Sequence, residues 1–330
     1  MAGRGSRLRP HTLTIPKPLV PVGGKPIVHR LVEDIASVCT EKIEEIAFVI
    51  GDFGEEVEKE LIKVAEGLGA KGSIYYQNEP LGTAHAVLCA QEVMDGPIVV
   101  AFADTLFKAD FKLDDNADGI LWVKQIDDPS VFGVVKLNED GGIVDFVEKP
   151  QEFVSDLAMI GIYYFKKGED LRRELKYLID NEIIKGGEYQ LPDGLRRLTE
   201  AGNTFKPGEV SEWLDCGNKK VTVHTNQRVL EYDKERGLNT VHSSLKQSNS
   251  VIVPPCFIGE NVEISDSVIG PHVSLGNGSV ISNSVIKNSN IQENTQIENA
   301  ILKDSMIGSN ARYSGLARDL SLGDFTTIDE

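Results

Sequence analysis

Residues 251–308 read VIVPPCFIGENVEISDSVIGPHVSLGNGSVISNSVIKNSNIQENTQIENAILKDSMIG. An aliphatic residue recurs at every fifth or sixth position, with Gly, Asn and Ser filling many positions between: Ile252, Ile258, Ile264, Ile269, Leu275, Ile281, Ile286, Ile291, Ile297, Leu302 and Ile307. A helix cannot keep this spacing on one face, because its turn takes about 3.6 residues. The pattern is typical of a hexapeptide-repeat parallel β-helix, whose coils stack their aliphatic side chains on one another. The alternative is a β-rich domain with chance periodicity.

The segment before the repeats, KQSNS at 246–250, is polar and typical of a linker. We therefore expect two domains, residues 1–240 and residues 241–330. The first alternates strand-like and helix-like stretches, in the order strand 43–50, helix 55–69, strand 72–77, helix 82–94 and strand 97–104. This order predicts an α/β fold with a Rossmann-like, mostly parallel sheet, which binds its ligands beyond the carboxyl ends of the strands.

A strand-rich stretch follows within the first domain. Alternating and β-branched residues predict strands at 119–125, 132–137, 142–150 and 158–165. Helical spacing then predicts helices at 168–181, at 188–200 and at about 218–234.

The composition limits the class of partner. A net charge of −17 argues against a general nucleic-acid or membrane-surface binder, although a few local basic residues could still hold a phosphate. The four cysteines form no CxxC pair and no cluster with histidine, so we expect neither a zinc site nor a disulfide framework. The sequence has no apolar run of membrane-spanning length and no signal-peptide core, and we expect a cytoplasmic protein.

The N-terminal stretch GRGSRLRPHT (3–12) combines glycines with arginines. Glycines let backbone N–H groups approach a phosphate, and an arginine adds a forked cation. The stretch is not a P-loop, because no GK[ST] follows, and Leu8 stands where a GxGxxG loop needs its third glycine. Alone, it is also typical of a simple tight turn.

The segment IPKPLVPVGGKP (15–26) places Lys17 between two prolines. Pro16 and Pro18 fix their own φ, and Pro18 disfavours helix at Lys17. A lysine on such a stiff, extended segment is a preorganised charge beside the glycine loop. A solvated surface lysine is the alternative.

Together these stretches resemble the signature of sugar-1-phosphate nucleotidyltransferases, the family of glucose-1-phosphate thymidylyltransferases. The resemblance continues through YQNEPLGTAHAV, FADT, FGVV, FVEKP, GIYYF, GEYQLPDGL and WLDCGN, and covers about residues 1–235. The repeats resemble the left-handed β-helix of the longer family members. The resemblance implies a magnesium-dependent enzyme that joins a nucleoside triphosphate to a sugar 1-phosphate and releases pyrophosphate.

The resemblance also implies roles for residues that match the family motifs. The triphosphate would lie on the loop of Gly3, Gly5, Ser6 and Arg7, with Arg7 on the leaving pyrophosphate and Lys17 near the α-phosphate. Asp104 and Asp215 would hold Mg²⁺, which prefers a few carboxylates together with phosphate oxygens and water. The catalytic residues would be Arg7, Lys17 and Asp104. Taken singly, each aspartate is also a common turn or cap residue.

The base and the sugar would have their own residues in the family pattern. Gln77, with Gly82 and Thr83 in the turn beside it, would meet the base, and its amide suits the imide edge of thymine or uracil. The sugar phosphate would contact Gly133, Glu148, Lys149, Gly161 and Glu188. Gln77 could instead be a surface residue, and Glu188 an ordinary acid in the first turn of a helix.

One departure from the family pattern lies at the N-terminus. Family members usually begin with a short apolar strand before the glycine loop, whereas Met1 stands two residues before Gly3. We expect an upstream extension of about six apolar residues, because an open ladder beside the site would leave backbone groups unpaired.

Several alternatives remain open at the level of sequence. Glucose 1-phosphate with dTTP is our first expectation, UTP is the runner-up, and mannose 1-phosphate with GTP comes third. A hypothesis from another functional class is a non-catalytic homologue that uses both domains for assembly. A bifunctional acetyltransferase is disfavoured, because the repeats end near residue 307 with no long domain after them. We expect the β-helix to support a homo-oligomer.

Overall fold

The computed structural model describes residues 5–114 and 116–316. The chain divides into two compact units: Met1–Val20 with Lys25–Val221, and Pro21–Gly24 with Thr222–Glu330. The boundary that we expected at residue 240 lies within the second unit. Each unit is described by itself below.

Six α-helices follow the predicted order in the described residues, with one addition near the N-terminus. Their bounds are α1 (Ile27–Val38), α2 (Glu55–Gly67), α3 (Thr83–Leu88), α4 (Gly168–Asp180), α5 (Leu191–Glu200) and α6 (Lys219–Glu235). The addition is α1, whose buried Leu31, Ile35 and Val38 show the helical spacing that sequence analysis overlooked. The helix predicted at 82–94 ends at Leu88, and residues 91–93 form a 3-10 turn instead.

The strands up to residue 215 are short and numerous. Their bounds are β1 (Pro21–Val22), β2 (Lys25–Pro26), β3 (Glu45–Ile50), β4 (Lys71–Tyr76), β5 (Ile98–Ala101), β6 (Thr105–Lys108), β7 (Gly119–Gln125), β8 (Gly133–Leu137), β9 (Ile143–Glu148), β10 (Leu157–Phe165), β11 (Phe205–Glu209) and β12 (Glu212–Asp215).

The main sheet of the first unit has six strands in the order β5-β10-β7-β11-β9-β8. Its ladders are mostly antiparallel, and only β11 and β7 run parallel. The prediction of a mostly parallel sheet is wrong for these strands. The reason is local, since the strand-rich stretch 119–165 has no helices between its strands, and β8 and β9 join through a tight turn that pairs them antiparallel.

A smaller layer of the first unit keeps the predicted parallel arrangement. Strands β3 and β4 pair in parallel, and α2 connects them. Phe48, Ile50 and Leu61 belong to the buried cluster between this pair and its helices. A second cluster packs α4 and α5 against the six-stranded sheet. The expected α/β class is therefore confirmed, with two parallel strands in one layer and a mixed sheet in the other.

The second unit contains stacked coils of very short strands. They are β13 (Lys246–Ser248), β14 (Val251–Ile252), β15 (Cys256–Ile258), β16 (Glu263–Ser265), β17 (Val268–Ile269), β18 (Val273–Leu275), β19 (Val280–Ser282), β20 (Val285–Lys287), β21 (Ser289–Ile291), β22 (Gln296–Glu298), β23 (Ile301–Lys303), β24 (Met306–Ile307) and β25 (Arg312–Ser314). They form three sheets in which every described pairing is parallel.

The register of these sheets explains the repeat. Ile264 pairs with Ile281, which pairs in turn with Ile297, so the same side of successive coils carries the same residue type. All three side chains are buried in one cluster that runs through the coils. The predicted parallel β-helix is confirmed, and its handedness stays a prediction.

Asparagine and aspartate occupy corners of the coils. Asn249, Asp266, Asn283 and Asn299 all have a positive φ, between 44° and 53°. Asn and Asp tolerate this left-handed conformation better than other residues with a Cβ, because their short polar side chains bond locally. The polar residues between the aliphatics therefore turn the chain at each corner. Within the described residues, no helix is long and apolar enough to cross a membrane.

Candidate active site

Two aspartates from distant parts of the chain meet through an antiparallel ladder. Strands β6 and β12 pair so that Asp215 lies opposite Thr105, the residue after Asp104. The N–H of Cys216 donates to the carbonyl oxygen of Asp104 at 3.0 Å. The ladder register therefore fixes the two aspartates side by side.

Lys17 joins the aspartates from the proline-rich segment. Its ammonium Nζ lies 2.8 Å from Oδ2 of Asp104, and its side chain is only 9% exposed. Pro16 and Pro18 flank it, and a 3-10 turn begins at Lys17 itself. The expected extended segment is thus a tight turn at this residue. The lysine is buried rather than solvated, which removes the surface-lysine alternative.

The charges around Asp215 indicate that the predicted groups lie in one region. Burial raises the pKa of its carboxyl above the ordinary value, and the negative charge of Asp104 raises it further. The charges of Lys17 and Arg7 and the N–H of Gly217 oppose this rise. All four predicted charged residues therefore act on one region, although their catalytic roles stay predictions.

The glycine loop lies against the buried lysine. Gly5 has φ +57°, and a Cβ at this position would lie 3.1 Å from Cβ of Lys17. Its carbonyl oxygen accepts a hydrogen bond of 2.8 Å from the hydroxyl of Thr12. Ser6 and Arg7 follow in an exposed 3-10 turn. Gly3, the other predicted glycine of the loop, lies outside the described residues.

The predicted base-binding residues form one turn. Nε2 of Gln77 donates to the carbonyl oxygen of Gly82 at 3.0 Å and lies 3.0 Å from Nδ1 of His85. Gly82 has φ +109° and stands at the N-cap of α3. The hydroxyl of Thr83 accepts from the N–H of Leu191 at 3.0 Å, which ties this turn to the start of α5.

Glu188 belongs to the turn that packs on Gly82. A Cβ on Gly82 would lie 2.9 Å from Cβ of Glu188 and 2.5 Å from the carbonyl oxygen of Tyr189. Helix α5 begins at Leu191 instead of the predicted residue 188, so Glu188 is not an acid of the first helical turn. Its carboxylate is exposed in a loop beside the base-binding turn.

The other sugar candidates lie at the start of β8, at the end of β9 and in the middle of β10. Gly133 pairs with Glu148, and a Cβ on Gly133 would lie 2.8 Å from Oε2 of Glu148. Lys149 has φ +45°, and its Nζ lies 3.8 Å from Oε1 of Glu148. Gly161, with φ +85°, sits at a register shift of β10, where a Cβ would meet the ring of Phe102 at 2.9 Å.

Two features that sequence reasoning did not single out link these groups. The ring of Phe132 packs edge-on against Trp213 with centroids 4.8 Å apart. The carbonyl of Phe132 accepts from the N–H of Lys149, whereas Trp213 lies on β12 with Asp215. The pair therefore ties the loop of Lys149 to the strand that carries Asp215. Phe132 and Trp213 lie inside the family motifs FGVV and WLDCGN, so these motifs were the signal that could have identified them.

The donor set fits a magnesium ion. Among residues 5–114 and 116–316, no group of three or more His, Cys, Asp or Glu side chains could hold a metal. Asp104 and Asp215 supply two carboxylates, and burial together with the negative charge of Asp104 raises the pKa of Asp215. A cation would relieve that repulsion, and Mg²⁺ is suited by two carboxylates with phosphate oxygens and water.

Comparison with known proteins agrees with this geometry. A family model described as nucleotidyl transferase matches residues 1–231. The chain belongs to the nucleotidyl transferase family. The match covers both aspartates, Lys17 and every predicted sugar candidate.

Individual similar proteins indicate which branch of this family the chain resembles. A glucose-1-phosphate thymidylyltransferase of Streptomyces antibioticus is 29% identical over 99% of this chain and 97% of its own. The low-salt glycan biosynthesis nucleotidyltransferase of Haloferax volcanii is 30% identical, over 94% of this chain and 91% of its own. A solved UDP-glucose pyrophosphorylase complexed with UDP-glucose shares the fold, with a TM-score of 0.57 and 23% sequence identity. The match covers 70% of this chain and 96% of the pyrophosphorylase chain. The predicted membership of this nucleotidyl transferase in the sugar-1-phosphate nucleotidyltransferases is confirmed.

Proposed function

We propose that this protein condenses a nucleoside triphosphate with a sugar 1-phosphate, giving a nucleoside diphosphate sugar and pyrophosphate. The observation that carries the proposal is the β6–β12 ladder, which sets Asp104 and Asp215 side by side with Lys17 and Arg7 in electrostatic range. A buried lysine and two paired carboxylates suit a reaction that depends on positioning and charge neutralisation.

The chemistry needs no nucleophilic side chain. A phosphate oxygen of the sugar 1-phosphate forms a bond to the α-phosphorus, while the bond from that phosphorus to the bridging oxygen of the β-phosphate breaks. The electron pair leaves with pyrophosphate. In our proposal Lys17 balances negative charge around the α-phosphate, Arg7 stabilises the leaving pyrophosphate, and the loop of Gly5 and Ser6 directs backbone N–H groups at the triphosphate.

Asp104 and Asp215 would hold Mg²⁺ in this proposal. When bound, the ion would supply positive charge against the phosphates, as in other phosphoryl transfers. Lys17 would compete with the ion for Asp104, since it forms a 2.8 Å ion pair with that carboxylate.

Glucose 1-phosphate with dTTP is the proposed substrate pair, and the thymidylyltransferase relative supports it. The amide N–H groups of Gln77 are engaged by Gly82 and, when its Nδ1 is the acceptor, by His85. Oε1 of Gln77 can then accept a hydrogen bond from the base. Thymine, uracil and guanine carry a ring N–H for this purpose, whereas cytosine and adenine offer only an exocyclic amino group, so UTP and GTP remain the alternatives.

The test is a grid of dTTP, UTP, GTP, CTP and ATP against glucose 1-phosphate, mannose 1-phosphate and N-acetylglucosamine 1-phosphate, with Mg²⁺. We expect pyrophosphate release to be fastest with dTTP and glucose 1-phosphate. Silence across the whole grid would overturn the proposal and favour a non-catalytic assembly homologue. Transfer of acetyl groups from acetyl-CoA should be undetectable in the same preparation.

The expectations of a cytoplasmic protein and of a homo-oligomer stay predictions. The stacked coils expose aliphatic side chains on one sheet, among them Val251, Val268, Val285 and Ile301. Light scattering after size exclusion tests the oligomer, and the mass of a single chain would contradict it.

A further inference from the structure

A buried carboxylate in α5 lies outside the set of predicted site residues. Asp193 is only 6% exposed, and its Oδ1 alone receives two cations. Nζ of Lys185 lies 2.5 Å away, and Nη1 of Arg196 lies 2.7 Å away. The other oxygen, Oδ2, is buried without a hydrogen-bond partner in the part of the chain that the structure describes. Displacing a buried, paired charge is costly, so Asp193 fixes the positions of Lys185 and Arg196 and of the segments in contact with them.

The first partner carries the turn of Glu188. Lys185 and Glu188 form a two-residue bridge, in which the N–H of each donates to the carbonyl of the other at 3.0 and 3.1 Å. Gly186 and Gly187 complete the turn, both with positive φ and with open space where a Cβ would stand. The two glycines leave the tip of the turn exposed, and the Lys185–Asp193 ion pair anchors it together with the hydrogen bond from the N–H of Tyr189 to the carbonyl oxygen of Leu81.

The second partner reaches the strand of Glu148. Nε of Arg196 lies 3.1 Å from Oδ1 of Asp145, and its Nη2 donates to the carbonyl oxygen of Phe146. Both acceptors lie on β9, which ends at Glu148. Because a guanidinium is planar and rigid, this double contact fixes the strand relative to α5.

We propose that Asp193, acting with Lys185 and Arg196, is a positioning residue that sets the sugar 1-phosphate site. This inference rests on the proposed function, because it takes Glu188 and Glu148 as the groups that contact the sugar. Oδ1 of Asp193 contacts Lys185, which lies in the turn of Glu188, and Arg196, which contacts the strand of Glu148. A movement of Asp193 therefore shifts the turn and the strand together. A displacement of this kind lowers binding when the two groups must meet one rigid ring.

The chain offers a matched control in the same helical layer. Glu174 is also 6% exposed and also receives two cations, Arg173 at 3.0 Å and Arg197 at 2.8 Å. Its partners belong to α4 and α5, and Arg173 also pairs with Asp170 in α4. This second buried carboxylate therefore reports the stability lost with a buried charge, without a link to the turn of Glu188 or to β9.

The experiment compares Asp193→Asn with Glu174→Gln in the full chain, using the substrate pair that the wild-type enzyme turns over best. For Asp193→Asn, KM for the sugar 1-phosphate should rise about tenfold, while KM for the nucleotide and kcat change less than about twofold. Both variants should lose a similar amount of Tm. Glu174→Gln should leave both KM values within about twofold of wild type.

A second variant keeps the inference testable if Asp193→Asn does not fold. The side chain of Lys185 is 60% exposed, so Lys185→Met releases the turn while the Asp193–Arg196 pair remains. We expect it to raise KM for the sugar 1-phosphate by about threefold, and Lys185→Arg to restore most of the affinity.

The outcomes separate the two proposals. A wild-type chain that releases no pyrophosphate with any pair refutes the proposed function itself. An active wild type whose Asp193→Asn and Lys185→Met variants keep a normal KM for the sugar 1-phosphate overturns only the positioning role. Equal rises in both KM values for Asp193→Asn and Glu174→Gln would likewise reduce Asp193 to a structural residue.

Discussion

The coils of the β-helix and the candidate active site satisfy their polar groups in opposite ways. In the coils, the hydroxyl oxygen of Ser267 accepts from the N–H of Ser284, whose own hydroxyl accepts from the N–H of Ala300 one coil further on. At the site, Asp215 is held beside Asp104, and its ionised form is disfavoured. The repeating region therefore satisfies backbone groups from one coil to the next, whereas the site holds two carboxylates together, an arrangement that a bound cation would stabilise.

The largest effect should come from breaking the site. Asp104→Asn should lower kcat by about 10³-fold, because it removes a preorganised charge while the amide oxygen can still accept from Lys17. Pyrophosphate release measures the effect, and circular dichroism should show an unchanged fold. The control is Asp110→Asn, an exposed acid just beyond β6, which should keep normal turnover. Near-normal activity of Asp104→Asn would refute the metal assignment.

The second effect concerns the coils. Ile281 is fully buried, whereas its neighbour Val280 is 38% exposed on the other side of β19. Ile281→Ala should lower the free energy of unfolding by about 3 kcal/mol, because it leaves a cavity in a stack that cannot collapse locally. Val280→Ala should lower it by only about 0.5 kcal/mol. Urea unfolding measures both, and equal losses would show that the coil interior does not carry the stability.

The third effect compares two glycines that cap helices. Gly82 precedes α3 and Gly54 precedes α2, both with positive φ. An added Cβ would meet the carbonyl oxygen of Tyr189 at 2.5 Å in the first case and nothing within 4 Å in the second. Gly82→Ala should therefore cost about 2 kcal/mol of stability and raise KM for the nucleotide, against about 1 kcal/mol for Gly54→Ala with an unchanged KM. Identical behaviour would contradict the close packing of the base-binding turn.

The smallest effect is the pH dependence of Asp215. Its pKa is raised in the folded state, so the folded chain binds this proton more tightly than the unfolded chain, and stability is lost as pH rises from 3.8 through the raised value. Asp215→Asn removes that loss. Without Mg²⁺, the Tm of Asp215→Asn minus the Tm of the wild type should therefore increase as the pH rises through this window.

Added Mg²⁺ provides the control for that measurement. It should raise the Tm of the wild type at neutral pH and leave that of Asp215→Asn unchanged, since binding to the folded state alone stabilises it. Parallel Tm curves for the two proteins, with and without the ion, would show that Asp215 neither titrates abnormally nor binds the metal.

The sequence was most informative where contacts are local or periodic. The β-helix was predictable because residues one coil apart repeat the same type, as with Ile264 and Ile281, so the pattern itself encodes the pairing. The prolines predicted a stiff segment around Lys17, but neither its burial nor its ion pair with Asp104 was predicted. The family motifs named the site residues without giving their arrangement.

The rest depended on contacts between distant segments. The meeting of Asp104 with Asp215 is created by an antiparallel ladder that no spacing in the chain reveals. The mostly parallel sheet was a wrong extension of the βαβα order into a region without helices. Sequence analysis did not single out Asp193 or Arg196, because the burial of one charged residue leaves no periodic trace in the sequence.

The corner residues of the coils have a consequence for how this part of the gene can change. Asn283 and Asn299 hold the same left-handed corner in successive coils, and the inward aliphatics keep their places relative to it. A residue inserted within a strand would move the side chains that follow it in that strand out of their row, since neighbouring positions on a strand face opposite sides. Insertion or loss of a whole coil, 16 or 17 residues, restores the rows. The corners absorb the one-residue difference between coils of 16 and 17 residues, so relatives should differ in this region by whole coils or by single residues at a corner.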